Sequence, residues 1–258
     1  MLTGRRVALG AAVVLLSGWG LFNTAEPQRS TASQENAGEA VGQADKAVAI
    51  AQRASPAYLA AVLGSRSGTV SPALTRICAG VAVSARQVLT AAHCVQAGSD
   101  GNYSVVLTQG SLCHVKHLDP VPVVRVRTYK SRDLAILELD EPVKVRPADL
   151  AVGPHDVGDE LVSIGWGRAG TMGADPCHAT AAQLTTEPHE SCVAGFLCLT
   201  TVVSGARGLC VGDSGNPVID GRLVIAIGSR TQGCNVGDTS MHASIPGARR
   251  WLLRHVSR

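Results

Sequence analysis

Three short runs carry residues that could do chemistry together. "VLTAAHC" (88–94) sets His93 beside a cysteine at the end of an apolar strand, and "RDLAILEL" (132–139) opens a buried-looking strand with Asp133. "GDSGNP" (212–217) holds Ser214 in a tight, glycine-flanked turn. Each alone has an ordinary reading: a structural histidine, a strand-edge cap, a surface turn. Together they have a chemical one. A serine hydroxyl is a weak nucleophile at neutral pH and needs a base to take its proton. Histidine titrates near that pH, so it can accept the proton and pass it to a leaving group. A carboxylate on the far side of the imidazole fixes its tautomer and stabilises its cation. Small residues around the serine let backbone N–H groups face a developing oxyanion.

The elements that must position these residues are short. Apolar runs at 57–63, 77–83, 103–107, 121–127 and 134–139, then at 160–166, 181–186, 222–228 and 239–245, are mostly bounded by Gly, Pro, Asp or Ser. That spacing predicts strands. Helical periodicity is weak until "PGARRWLLRHV", where Pro246 suits a first turn and Trp251, Leu252 and Val256 make an apolar face. The expected fold is all-β, in two similar halves closed by a C-terminal helix. With 258 residues there is length for one large or two small domains. A content of 45% hydrophobic but only 3% aromatic residues means a core of Ala, Val, Leu and Ile.

Composition also sets the compartment. "MLTGRR" followed by "VALGAAVVLLSGWGLF" reads as a secretory signal over 1–25, ending at "NTA". An uncleaved membrane anchor is the competing reading, because the run is marginal for spanning a bilayer. Residues 26–46 are polar and aperiodic, as in a linker or pro-segment. Eight cysteines behind an export signal suit disulfides in a secreted protein. Zinc ligation would want paired or regularly spaced Cys and His, and no C-x-x-C occurs. A net charge of +3 without a basic tract gives no footprint for nucleic acid. No Gly-rich phosphate loop between a strand and a helix is present, and no cofactor is implied.

From about residue 57 to 256 the sequence resembles the chymotrypsin/trypsin family of serine proteases. The resemblance is carried by "TAAHC", "DLAILEL", "GWG" (165–167), "GDSG" and the closing Trp-containing helix. It implies two antiparallel six-stranded β-barrels, over about 47–147 and 148–245 of a protease domain spanning 47–258, with the active site between them. It implies a Ser214–His93–Asp133 triad, an oxyanion hole made by the N–H groups of Gly212 and Ser214, and a polypeptide substrate for a monomeric enzyme without metal or other cofactor. It implies the disulfides Cys78–Cys94 and Cys210–Cys234. Cys192–Cys198 would be a shortened form of a third family loop, and Cys113 and Cys177 remain as an extra pair. The loop at 109–119 lacks the paired acidic residues with which some family members hold calcium.

Four departures from the family matter. Gly215 is followed by Asn216 where a second glycine is usual; asparagine's tolerance of unusual backbone angles would preserve the turn. No Ile/Val-Val-Gly-Gly start occurs, so Asp213 either awaits the amine of Ala47, freed by an activating protease that cuts after Lys46, or pairs otherwise with no cleavage. The base of the specificity pocket, six residues before Ser214, is Gly208, followed by Leu209, without the carboxylate that binds Lys or Arg. The segment expected to line the pocket opposite is Gly228-Ser229-Arg230, with Ser240 nearby. Small or moderately apolar side chains are therefore expected before the cut bond, with Arg230 at the pocket's mouth either turned to solvent, as most arginines are, or limiting its depth or attracting an acidic side chain. The competing function is a binding protein that keeps the protease fold while its catalysis is lost or latent.

Overall fold

The computed structural model describes residues 56–64, 75–95, 102–107, 112, 119–167, 179–188, 192–202 and 209–257. The signal and linker expectations (1–46), the Lys46–Ala47 junction, Cys113, Cys177 and Gly208 lie outside the described residues.

The first half of the chain closes on itself. Strands β1 (Leu59–Gly64), β2 (Thr75–Ser84), β3 (Gln87–Ala91), β4 (Tyr103–Leu107), β5 (Val121–Tyr129) and β6 (Leu134–Leu139) form a closed antiparallel barrel in the order β1-β2-β3-β6-β5-β4. Every residue of β1 and β3 is buried. A strand covered on both faces reads as a continuous apolar run rather than an alternating one, as "LAAVL" does.

The second half repeats the plan. Its strands are β7 (Asp149–Leu150), β8 (Glu160–Gly165), β9 (Thr180–Thr186), β10 (Phe196–Thr201), β11 (Pro217–Asp220), β12 (Leu223–Thr231) and β13 (Thr239–Ser244). Because β11 pairs with both β8 and β12, the ring β8-β9-β10-β13-β12-β11 closes as a second six-stranded antiparallel barrel, with β7 added in parallel to β12. The expected two-barrel architecture is therefore the observed one.

Several contacts register one barrel on the other. The N–H of Ala79 in β2 donates to the carbonyl of Ser214 at 2.8 Å. At the chain's end, a single 3-10 turn from Pro246 leads into α1 (Arg249–His255). Leu252 is buried, and the Trp251 ring stacks on Tyr129 of β5 with centroids 5.4 Å apart. Gln87 of β3 donates to the carbonyl of His255 at 2.8 Å. The helix thus leaves the second barrel and fastens to the first.

Candidate active site

The first barrel delivers two groups on short turns at strand ends. β3 runs into a 3-10 turn, Ala92–Cys94, that carries His93. A second 3-10 turn, Lys130–Arg132, precedes β6, and Asp133 joins the two in the left-handed conformation (φ 50°, ψ 42°). It is the one non-glycine residue with positive φ among the described residues. Aspartate tolerates that region better than most side chains because its short polar group can bond locally. The Ala92 N–H donates to the Asp133 carbonyl at 3.0 Å, so the two turns are tied through the backbone as well.

Asp133 is only 7% exposed, and its carboxylate is well supplied with donors. Oδ1 accepts the His93 backbone N–H at 2.9 Å, while Oδ2 lies 2.8 Å from His93 Nδ1 and accepts the Ser229 hydroxyl at 2.5 Å. Burial pushes its pKa up, but the bonds from His93 and Ser229 outweigh that and hold it below the ordinary carboxylate value. An ionised carboxylate only accepts, so Nδ1 is the donor to it, and in the neutral imidazole Nε2 is the nitrogen that holds the lone pair. Nε2 lies 2.8 Å from Ser214 Oγ. The three expected side chains come together from two barrels in one hydrogen-bonded line.

The second barrel positions Ser214 by two consecutive turns. The first closes with the Asp213 N–H on the Cys210 carbonyl at 3.0 Å and has Gly212 at φ 98°. The second closes with the Asn216 N–H on the Asp213 carbonyl at 3.0 Å and has Gly215 at φ 82°. A Cβ at Gly215 would stand 2.0 Å from the Ala79 carbonyl oxygen, so the glycine is needed for both its angle and its space. The Asp213 carboxylate lies beneath these turns, 3% exposed, and accepts N–H bonds from Gly167 (2.9 Å), Cys210 (2.8 Å) and the Asn216 side chain (2.6 Å). Asn216 does not use its tolerance of unusual backbone angles, since its φ is not positive. What it contributes is its amide.

A cavity of about 210 Å³ opens beside Ser214, lined among others by Leu209, Gly228, Ser229, Arg230 and His242. Leu209 and Gly228 are buried there, while Arg230 is exposed at the mouth and also borders the groove beside His93. Ser240 lies behind the lining, with its hydroxyl 2.8 Å from His242 Nε2. Two contributions escaped the sequence reading. Ser229 reaches out of the pocket wall to Asp133 because β12 is irregular between Gly228 and Arg230. His242 is fully buried, and its place in the pocket lining, opposite Gly228, follows only from the β12–β13 register.

Disulfides flank both halves of the site. Cys78–Cys94 ties β2 to the His93 turn, Cys210–Cys234 borders the Ser214 turn, and Cys192–Cys198 ties the loop before β10 to that strand. Cys78, His93 and Cys94 bring three ligand atoms within 4.8 Å of one another. The two sulfurs are bonded to each other, so neither offers a thiolate to an ion.

Paired barrels meeting at a Ser–His–Asp cleft define a class, that of the two-barrel hydrolases. Residues 48–252 match the family described as Trypsin. A trypsin from Simulium vittatum is 30% identical over 169 residues, covering 57% of this chain and 68% of the relative. Chymotrypsin-2 of Vespa crabro is 26% identical, covering 68% and 88%. Among solved structures, mouse neuropsin, a serine protease, aligns with a TM-score of 0.64 at 24% identity over 78% of this chain and 94% of its own. Human heparin binding protein shares the fold at 22% identity, with a TM-score of 0.63 over 78% of this chain and 92% of its own. The chain belongs to the trypsin family and is a serine-type endopeptidase.

Proposed function

We propose that this chain is a secreted endopeptidase that cleaves polypeptides through an acyl-enzyme on Ser214. In this reading Ser214 Oγ attacks the carbonyl carbon of the bond to be cut as His93 Nε2 takes the hydroxyl proton. The carbonyl oxygen becomes an anion facing the N–H groups of Gly212 and Ser214. Its collapse breaks the C–N bond, and the proton on His93 leaves with the amine. Water then repeats the sequence on the ester, returning a proton to Ser214 and releasing the acid. Asp133 keeps the imidazole oriented and stabilises it while charged.

The observation that carries the proposal is the continuous line from Asp133 through His93 to Ser214, with both links at 2.8 Å. The domain would begin near residue 47, after an exported leader (1–25) and a pro-segment (26–46), and act as a monomer. Export is supported by the apolar leader and by three disulfides among the described residues. The buried Leu209 and the modest cavity favour small or moderately apolar side chains before the cut bond, rather than Lys or Arg.

A fluorophosphonate probe tests this directly. The exported protein should be labelled, and Ser214→Ala should abolish labelling while leaving the thermal melt in place. A wild-type protein that folds, takes no label and cleaves no member of a peptide library would instead be a binding protein on a protease fold.

A further inference from the structure

Asp213 stands between the two residues whose N–H groups face the oxyanion in the reading above, on which this inference rests. It fastens both turns that flank Ser214. Its carboxylate accepts the Cys210 N–H at 2.8 Å across the first turn, and its carbonyl accepts the Asn216 N–H at 3.0 Å across the second. A further bond, from Gly167 N–H to Oδ1 at 2.9 Å, holds the carboxylate against the second barrel. These donors are all backbone. Asn216 Nδ2, 2.6 Å from Oδ1, is a side-chain donor, and a substitution can remove it.

Its surroundings are shaped around that contact. Asn216 is completely buried, and its Oδ1 has no hydrogen-bond partner. A buried acceptor left unpaired is costly, so the amide is kept for its N–H. The room is made by glycines: a Cβ on Gly165 would lie 1.9 Å from Asn216 Oδ1, and one on Gly167 would lie 2.1 Å from Asp213 Oδ2. Nothing in the backbone at 216 demands glycine or asparagine, since φ there is not positive.

We infer that Asn216 is a positioning residue: its amide holds Asp213, and through it the oxyanion turn, so the site assembles in the uncleaved chain without a freed N-terminal amine.

Two variants of the full chain test this. Lys46→Ala blocks the basic cleavage point, and the uncleaved protein should take the fluorophosphonate label at the wild-type rate. Asn216→Asp replaces the donor by an isosteric carboxylate facing Asp213. At about pH 8 the two would repel and kcat should fall about 10²-fold with KM little changed, as expected when an oxyanion donor is misplaced. Two carboxyls in contact share a proton as the pH drops, which restores the bond. The ratio of variant to wild-type kcat should therefore rise between about pH 8 and about pH 6, a trend that cancels any titration common to both and that a merely structural defect would not produce. If Asn216→Asp does not fold, Asn216→Gly, which needs no new room, should show the same fall in kcat at unchanged KM. A silent Lys46→Ala protein, or Asn216 variants as active as wild type, would overturn the inference. An inactive wild type would overturn the function and not this reading of Asn216 alone.

Discussion

The two barrels reach the cleft by different means. The first supplies side chains with charge: His93 and Asp133 end regular elements, and a carboxylate only 7% exposed holds the imidazole from one side. The second supplies geometry: Ser214 sits between glycines at positive φ, and its two turns are pinned by Asp213. The first contribution can be removed by deleting a charge without moving an atom. The second is lost when something is crowded or unpinned. One cleft therefore fails in two distinguishable ways.

Removing the first barrel's charge has the largest expected effect on turnover short of losing the nucleophile. Asp133→Asn keeps the side chain's size, and asparagine accepts the left-handed backbone that Asp133 adopts. The amide would present a donor or a weaker acceptor to Nδ1, freeing the imidazole to take the wrong tautomer. A fall of about 10⁴ in kcat is expected, with the melting temperature nearly unchanged. A loss under about tenfold would mean that the carboxylate does not set the state of His93.

Covalent ties sharpen the comparison, because each barrel has one beside its reactive group. Cys78–Cys94 closes a 16-residue separation next to His93, and Cys210–Cys234 closes 24 residues next to Ser214. Loop-closure entropy makes each worth about 3 kcal/mol, with the longer loop slightly ahead. The paired replacements Cys78→Ser/Cys94→Ser and Cys210→Ser/Cys234→Ser should lower unfolding free energies by similar amounts in urea titrations. Turnover should suffer more from the second, because the Cys210 N–H is itself a donor to Asp213.

The same division decided what could be anticipated from sequence. The first barrel's residues sit at the ends of long apolar runs, so "LTAAHC" and "DLAILEL" advertised both the strands and their cargo. Strands β7, β10 and β11 went unrecognised: "FLCLTT" overlaps a loop that its cysteine made look irregular, and "DL" and "PVID" are too short for periodicity to register. Ser229 and His242 matter through a strand irregularity and a cross-strand register, neither of which has a local pattern. Asn216 was legible as a departure. Its use was not, because a substitution in a turn says nothing of which neighbour its side chain will meet.

The two histidines nearest the cleft carry the comparison into pH. His93 has a 45% exposed side chain and a carboxylate partner, whereas His242 is fully buried beside the Ser240 hydroxyl and its Nδ1 has no partner. Burial without a nearby anion disfavours the cation and pushes the His242 pKa down to about 3. An unfolded chain would take up that proton near the ordinary value of about 6.5. Below that pH the unfolded state binds a proton that the native state refuses, so stability is complete above about 6.5 and drains away as pH falls toward the folded value. The slope approaches about 1.4 kcal/mol per pH unit. His242→Gln removes this one linkage and keeps a polar group for Ser240. Between about pH 7 and about pH 5, the wild type should lose about 2 kcal/mol more unfolding free energy than the variant, read from urea midpoints at each pH. Equal losses would mean that the second barrel accommodates the charged imidazole after all, its interior behaving like the first barrel's carboxylate-lined edge.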